Sequence, residues 1–385
     1  MIVIGINTGT SADGIDVAMV EFGRARPHPP VKLLWSGTYP YPVPLKRLYL
    51  NLVESEKTLT APAWFDMAGQ FDSGLGIAFS DAVARAMQSS GIKRSAVACI
   101  GSHGQTVWHA PGRPARSGSK RFAAGSTIQL GSPSVVAETT GIPVVAHFRQ
   151  KDVASGGQGA PLAPVLHFEL FRKFAPAVVL NIGGIANITV IPLQDDFSRV
   201  FGFDTGPGNR LIDMAVEAYT QGRKAFDRNG RFASRGGINA LLLERLMRDR
   251  FVKKTPPKST GREYYNMSYF AANAVPSGDI DTIATLTAFT AHAVAYNIDR
   301  FVKGRMKHLI VCGGGARNGA ILKQLSGLMP GVTIKTVEEL GYSSSSIEPM
   351  LFAYLGYLGI NKIPVSFKKI TGSSRAFVPG GIYYP

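Results

Sequence analysis

The chain has 385 residues, longer than one hydrophobic core usually grows, so two domains are expected. Hydrophobic residues make up 45% and charged residues 18%, the balance of an ordinary globular protein, and the two cysteines, Cys99 and Cys312, are too few for a disulfide framework or a cysteine metal site. The formal net charge of +16 favours anionic ligands; the denser basic groups (Arg113, Arg116, Lys120 and Arg121; Arg245 to Lys254) lack interleaved aromatics or a zinc-finger pattern, so no specific nucleic-acid partner is expected.

The first residues, MIVIGINTG, run straight into a strand without a positively charged leader. No apolar run is long enough to span a bilayer, so a cytoplasmic protein without a membrane partner is expected. The β-branched run Ile2 to Ile6 enters the Gly-bearing turn Asn7 to Asp16. Leu75, Phe79, Val83 and Met87 mark the apolar stripe of a helix that Gly91 caps, and Val97 to Ile100 follows as a strand. That strand runs into GSHGQT at 101–106, and a basic Gly/Ser/Pro-rich loop covers about 111–126. A domain boundary is expected near 145–150, where a new block of glycine-rich turns begins.

The same unit then recurs. Val178 to Ile182 leads into GGIAN at 183–187, Val200 to Phe203 into DTGPGNRLID at 204–213, and Leu309 to Cys312 into GGGARN at 313–318. Alternating strands and helices of this kind signal α/β layering, in which ligands gather at the carboxyl ends of strands. Ser343 to Ser346 reads as a polar loop and helix N-cap, and AFVPGGIYY near the end as a returning strand.

Asn7 to Asp16 (NTGTSADGID) and Asp204 to Asp213 share Thr-Gly and a closing Ile-Asp, 197 residues apart, and read as copies of each other. Two such turns facing across a cleft suit a ligand with several phosphates, because small Thr/Gly/Ser turns let backbone N–H groups approach phosphate oxygens. The usual P-loop, the Rossmann fingerprint and the protein-kinase signatures are absent. Nucleotide-dependent phosphoryl transfer between two related lobes remains.

Eight motifs make the reading more specific: GTSADGID at 9–16, GSHGQTVWH at 101–109, FRQKDVASGGQGAPL at 148–162 and LNIGGIAN at 180–187, then GFDTGPGNRLID at 202–213, PPKSTGREYYN at 256–266, VCGGGARN at 311–318, and Glu348 in a late helix. In these the chain resembles the anhydro-N-acetylmuramic acid kinase family of the sugar kinase, heat-shock chaperone and actin superfamily. The resemblance implies an α/β, two-lobed actin-like ATPase (sugar kinase) fold, with duplicated ribonuclease-H-like domains around a central cleft. Lobe one would be residues 1–147 plus 366–385, and lobe two residues 148–365. It also implies ATP and Mg2+ as cofactors, a homodimer, and phosphorylation of the 6-oxygen of a 1,6-anhydro sugar while water opens the ring.

Residue roles follow from that resemblance. Asp204 would be the general base, although an aspartate bonding its own turn is the competing structural explanation. Thr8, Gly9, Thr10 and Ser11, with Gly14, would form the first phosphate turn, and Asp13 and Asp16 would shape it or hold magnesium through water, unless TGT before DG is simply a good hairpin. Gly183, Gly184, Thr205, Gly206, Gly208 and Asn209 would add nucleotide contacts. Gly313, Gly314, Gly315 and Asn318 would take the adenosine side, or merely permit a sharp turn. His103, Gln105 and Thr106 would touch the sugar, and Arg149 and Asp152 would hold it or pair with each other. Glu348 would assist ring opening, or favour a helix dipole as any acidic residue near a helix start does.

Four features depart from the family pattern: Asn7, His147 before Phe-Arg, Pro349 after Glu348, and the four serines at 343–346 in place of a Gly/Asp-bearing loop. Asn7 points toward the related levoglucosan kinases, while Gly157-Gln158 and Trp108-His109 point toward the muramic enzymes. A levoglucosan kinase with the same mechanism and a catalytically silent sugar-binding sensor are the alternatives.

Overall fold

The computed structural model describes residues 1–9, 12–25, 28–54, 60–112, 125–261, 264–273 and 279–385. They form two compact units, Met1–Leu170 with Ser345–Pro385, and Phe171–Ser344. Among the described residues no helix is long and apolar enough to cross a membrane.

Unit 1 opens with β1 (Ile2–Asn7), β2 (Gly14–Phe22) and β3 (Val31–Pro40), followed by α1 (Val43–Glu54) and α2 (Ala61–Ser90). Then come β4 (Val97–Ser102), a separate ribbon of β5 (Gln105–Ala110) and β6 (Ser126–Leu130), α3 (Pro133–Thr140), β7 (Val144–Ala146), α4 (Phe148–Ala154) and α5 (Pro164–Phe171). α2 forms as its apolar spacing predicts: Leu75, Phe79 and Val83 are buried against Ile4, Ile6, Val17 and Met19. It ends at Gly91, whose left-handed φ of 71° lets its N–H reach the Met87 carbonyl.

Unit 2 runs β8 (Ala177–Ile182), β9 (Ile185–Ile191), β10 (Phe201–Pro207), α6 (Arg210–Tyr219), α7 (Ala240–Leu246), α8 (Arg250–Lys253), α9 (Met267–Asn273) and α10 (Ile280–Phe301). β11 (His308–Cys312), α11 (Gly319–Leu328) and β12 (Thr333–Thr336) complete it. The chain then returns to unit 1 through α12 (Ser344–Ile360) and β13 (Gly381–Tyr383), the strand expected in the tail, which pairs antiparallel with β7.

The two sheets have one plan. Unit 1 has the order β13-β7-β4-β1-β2-β3 and unit 2 the order β10-β9-β8-β11-β12. In each, the first three strands pair antiparallel and the next two add in parallel beside the first. β8, β9, β10, β11 and β12 therefore correspond to β1, β2, β3, β4 and β7, the duplicated ribonuclease-H-like arrangement of a two-lobed α/β kinase fold.

This correspondence corrects the sequence repeat. Residues 7–16 form the β1–β2 turn, whose counterpart is the β8–β9 turn at 183–184. Residues 204–213 instead run from the middle of the third strand, β10, into α6. The shared Thr-Gly and Ile-Asp are two local solutions to leaving a buried strand, since strand pairing rather than motif similarity fixes equivalence.

The unit boundaries also differ from the expected 147/148 and 365/366. Residues 148–170 stay with unit 1 because their side chains are tied there. Phe148 packs on Phe352 with ring centroids 5.9 Å apart, and Asp152 accepts from the Thr371 hydroxyl at 2.7 Å. Glu169 binds both His28 (3.0 Å) and the Tyr354 hydroxyl (2.9 Å). α12 belongs to unit 1 as well, seated directly on bare backbone. A methyl group at Gly5 would overlap the Pro349 carbonyl, and one at Gly101 the Phe352 carbonyl. The helix begins within the serine run, at Ser344, so Glu348 lies one turn inside it, and Pro349, in the second turn, offers no N–H to the Ser345 carbonyl.

Because the Phe352 carbonyl occupies the space a side chain would need, Gly101→Ala is expected to cost about 1–3 kcal/mol and lower the thermal midpoint. A midpoint equal to that of the unchanged chain would contradict this seating.

Candidate functional site

In both units the glycine-bearing turns leave the carboxyl ends of parallel strands, where α/β sheets collect ligands. In unit 1, Asn7 closes β1 and its amide Nδ2 donates to Glu348 Oε2 at 2.5 Å. Thr8 donates its hydroxyl to Gln105 Oε1 at 3.0 Å, and Gln105 Nε2 donates to the Gly9 carbonyl at 3.2 Å. Gln105 is fully buried, so this side chain shapes the first turn from beneath. Asp16 lies opposite Asn7 and accepts from Thr38 Oγ1 at 2.5 Å. Burial raises its carboxyl pKa, with the Thr38 bond opposing and Glu348 adding to the rise. Asp13 is surface-exposed and pairs with Lys46 at 2.9 Å, while Gly14 makes room for the Thr38 methyl. Thr10 and Ser11 lie outside the described residues.

Beside this turn, Arg149 Nε donates to His103 Nε2 at 2.8 Å and Nη1 donates to the Gly159 carbonyl at 2.9 Å. A histidine that accepts at Nε2 from a guanidinium is a neutral imidazole with its proton on Nδ1. Burial pushes the His103 pKa well below its usual value, and the Arg149 charge adds to the shift. The ring stacks on Phe352 at 4.4 Å. Thr106 serves the ribbon: its hydroxyl accepts from Gln129 at 3.3 Å and its carbonyl from Tyr49 at 3.4 Å.

Asp152 departs from the expected substrate contact. It is fully buried, with Oδ2 accepting from Gly159 N–H at 2.6 Å and Oδ1 from Thr371 at 2.7 Å. Its carboxylate therefore stitches two loops together, and Gly157 is glycine because a methyl would strike it. The arginine it was expected to pair with instead bonds His103 and Gly159.

In unit 2 two turns, at 183–184 and 208–210, are knitted through their backbones. The Gly183 carbonyl accepts from Asn209 N–H at 2.8 Å, and the Gly184 carbonyl from Gly208 N–H at 2.9 Å and Arg210 N–H at 3.2 Å. Asn209 Nδ2 reaches the Ile182 carbonyl at 3.3 Å. The glycines here are of two kinds. At Gly208 a methyl would meet the Gly183 carbonyl, at Gly315 the Ile182 side chain, and at Gly313, with φ of 81°, the Asn181 side chain and Ile182 carbonyl. Packing explains those three. Gly184 has nothing within 4 Å of such a methyl, Gly183 only a carbonyl at 3.6 Å, and Gly314 only Asn209 Nδ2 at 3.8 Å. None of these three has a left-handed φ, so neither conformation nor packing demands glycine there. Open, bare backbone suits the close approach of a phosphate or nucleoside.

Two expected contacts serve structure. Thr205 is fully buried with its hydroxyl donating to the Ala186 carbonyl at 3.1 Å, so it holds the sheet edge where β10 bulges between Asp204 and Gly206. Asn318 Oδ1 caps α11, accepting from Ala320 and Ile321 N–H at 3.1 and 3.2 Å.

Asp204 is half-buried in the middle of β10, at its bulge. Its N–H donates to the Lys258 carbonyl at 3.1 Å, and its Oδ2 accepts from Thr260 N–H at 2.8 Å. The carboxylate is thus oriented by a backbone donor 56 residues away, beyond the turn it opens. Sequence reasoning gave no role to Lys258 or Thr260, for which the PPKSTG motif at 256–261 was the available signal, and took Asn7 only as a pointer to the substrate.

The family described as anhydro-N-acetylmuramic acid kinase matches residues 1–385. The anhydro-N-acetylmuramic acid kinase of Vibrio parahaemolyticus is 38% identical over 384 residues, covering 99% of this chain and 97% of that protein. The protein of the same name from Ralstonia nicotianae is 38% identical over 396 residues, covering 99% and 96%. Among solved structures, the activator of the 2-hydroxyisocaproyl-CoA dehydratase from Clostridium difficile aligns with 94% of this chain and 96% of its own at a TM-score of 0.44 and 10% identity.

Two outcomes test this geometry. Gly208→Ala should lose about 1–3 kcal/mol of stability, whereas Gly184→Ala should change it by less than about 0.5 kcal/mol in the same denaturant titration. Equal losses would contradict the division of the glycines. Because His103 has a depressed pKa when folded, the unfolded chain takes up its proton first as pH falls below 6.5. Stability should drop in that window, and His103→Gln should flatten the drop; an unchanged slope would contradict a neutral, buried imidazole.

Proposed function

Since the chain belongs to the anhydro-N-acetylmuramic acid kinase family, we propose that it phosphorylates the 6-oxygen of 1,6-anhydro-N-acetylmuramic acid with ATP while water opens the internal ring. The product is N-acetylmuramic acid 6-phosphate, a step in recycling cell-wall sugar. Water attacks the anomeric carbon and gives its proton to Asp204; the bond from that carbon to the 6-oxygen breaks; the 6-oxygen bonds to the γ-phosphorus, and ADP leaves. The observation that carries this reading is Asp204 itself, a carboxylate held in orientation by Thr260 N–H in the unit that presents bare-backbone glycine turns.

Roles divide by unit. In unit 2, Gly183, Gly184 and Gly314 offer backbone to the nucleotide, with Gly208, Gly313 and Gly315 shaping the turns behind them. In unit 1, the turn at Thr8 and Gly9 serves phosphate, and the Arg149 guanidinium serves the acidic lactyl group of the sugar. Glu348, held by Asn7, is a substrate-side carboxylate. Magnesium would come with the nucleotide and take one or two protein carboxylates at most, as it commonly does. Bound there, it would neutralise charge on the transferring phosphoryl group.

Asn7, the feature that pointed to levoglucosan, has a structural explanation in its bond to Glu348, and the relatives do not favour that substrate. The family resemblance also supports a homodimer, and a cytoplasmic setting suits the reaction.

Replacing the base tests the reading. Asp204→Asn keeps an acceptor for Thr260 N–H, so the fold should survive while sugar-dependent ADP release falls about a hundred- to ten-thousand-fold. Release at the original rate would exclude Asp204 as the base, and a faster rate with levoglucosan than with the muramic sugar would reverse the substrate.

A further inference from the structure

The segment PPKSTG at 256–261 enters the chemistry above only through Thr260 N–H, yet its one lysine is among the most enclosed cations of the described residues in unit 2. Lys258 is 5% exposed. Its Nζ donates to the carbonyls of Phe251 at 3.0 Å and Val252 at 2.8 Å, in the last turn of α8. Three phenylalanine rings surround it, with centroids at 5.0 Å (Phe251), 5.5 Å (Phe301) and 5.8 Å (Phe203). Carbonyl oxygens and ring faces both stabilise a cation, so the box is built for an ammonium rather than for an apolar side chain.

The backbone on either side of this anchor is what holds Asp204. The Lys258 carbonyl accepts from Asp204 N–H, and Thr260 N–H donates to the Asp204 carboxylate. Phe203 faces the core beneath the lysine, while Asp204, next in the strand, faces the other side. The lysine therefore acts on the carboxylate across the strand, through the main chain.

We propose that Lys258 is a positioning residue for Asp204: its boxed ammonium pins the 258–260 backbone that orients the aspartate and helps keep it ionised. The proposal rests on Asp204 being the general base. The charges around the lysine agree with it. Burial pushes the Lys258 pKa down to about 8; Asp204 and Asp249 oppose that fall and Lys254 adds to it. The attraction between the two charges is mutual, so each favours the charged form of the other.

The test is steady-state kinetics of the full chain from pH 5 to 9 with ATP and 1,6-anhydro-N-acetylmuramic acid, on the unchanged protein and on Lys258→Met, Lys258→Arg and Asp204→Asn. Lys258→Met should lower kcat by about 10- to 100-fold and move the acid limb of kcat/KM to higher pH, with the KM for ATP within about twofold. Lys258→Arg should restore the position of that limb. A folded Lys258→Met with the original kcat and acid limb overturns the proposal. If Lys258→Met does not fold, Phe301→Leu, which keeps the lysine and removes one ring, should move the limb in the same direction by less; an unmoved limb there also overturns it. Activity retained in Asp204→Asn would instead bring down the base assignment, whereas an inactive Asp204→Asn beside a fully active Lys258→Met removes only the role of the lysine.

Discussion

Two backbone hydrogen bonds, from Asp204 N–H to the Lys258 carbonyl and from Thr260 N–H to the Asp204 carboxylate, fix the side chain on which the proposed chemistry turns. A carboxylate that must take a proton from water needs a defined direction and must stay ionised in a partly dry setting. A strand alone supplies neither. The direction comes from a distant segment that bonds the middle of β10, the edge strand of its sheet. The surrounding polar groups follow one rule, that buried donors and acceptors are spent on holding turns. Thr205, Asn209, Asn297 and Thr290 all bond main-chain carbonyls near this point.

Unit 1 uses bare backbone for a different purpose. At Gly5 and Gly101 the absence of side chains lets α12 lie against β1 and β4, and this brings Glu348 within reach of Asn7. In unit 2, Gly184 and Gly314 have open space in front of them. The same residue type thus serves packing in one place and exposure in the other, and only the neighbours distinguish the two. Gln105, His103 and Arg149 connect the β4–β5 turn to the first turn and to the 155–159 loop, so the polar end of this unit forms one hydrogen-bonded network.

Much of the fold was legible because strands and helices declare themselves locally. Ile2 to Ile6, Val97 to Ile100, Val178 to Ile182 and Leu309 to Cys312 are all strands, and Gly91 caps the helix that Leu75, Phe79 and Val83 bury. What sequence left hidden depends on contacts between distant segments. The similarity of 7–16 to 204–213 suggested a repeat, but strand pairing matches the first turn to 183–184 instead. The return of α12 to the first unit, and the attachment of residues 148–170 there, rest on Phe148, Asp152 and Glu169 finding partners more than 100 residues away. Within the site, motif membership could not separate a ligand contact from a structural one. Asp152, Thr205 and Asn318 sit in motifs as strong as that of Asp204, yet their polar atoms are bonded to loops, sheet and helix.

The central claim is that one event opens the ring with water and phosphorylates the freed oxygen. It is tested most directly by running the reaction in heavy-oxygen water and locating the label in the product by mass spectrometry. The account predicts heavy oxygen at the anomeric hydroxyl of a sugar 6-phosphate and none in its phosphate. Label in released inorganic phosphate, with the sugar still in its anhydro form, would contradict it.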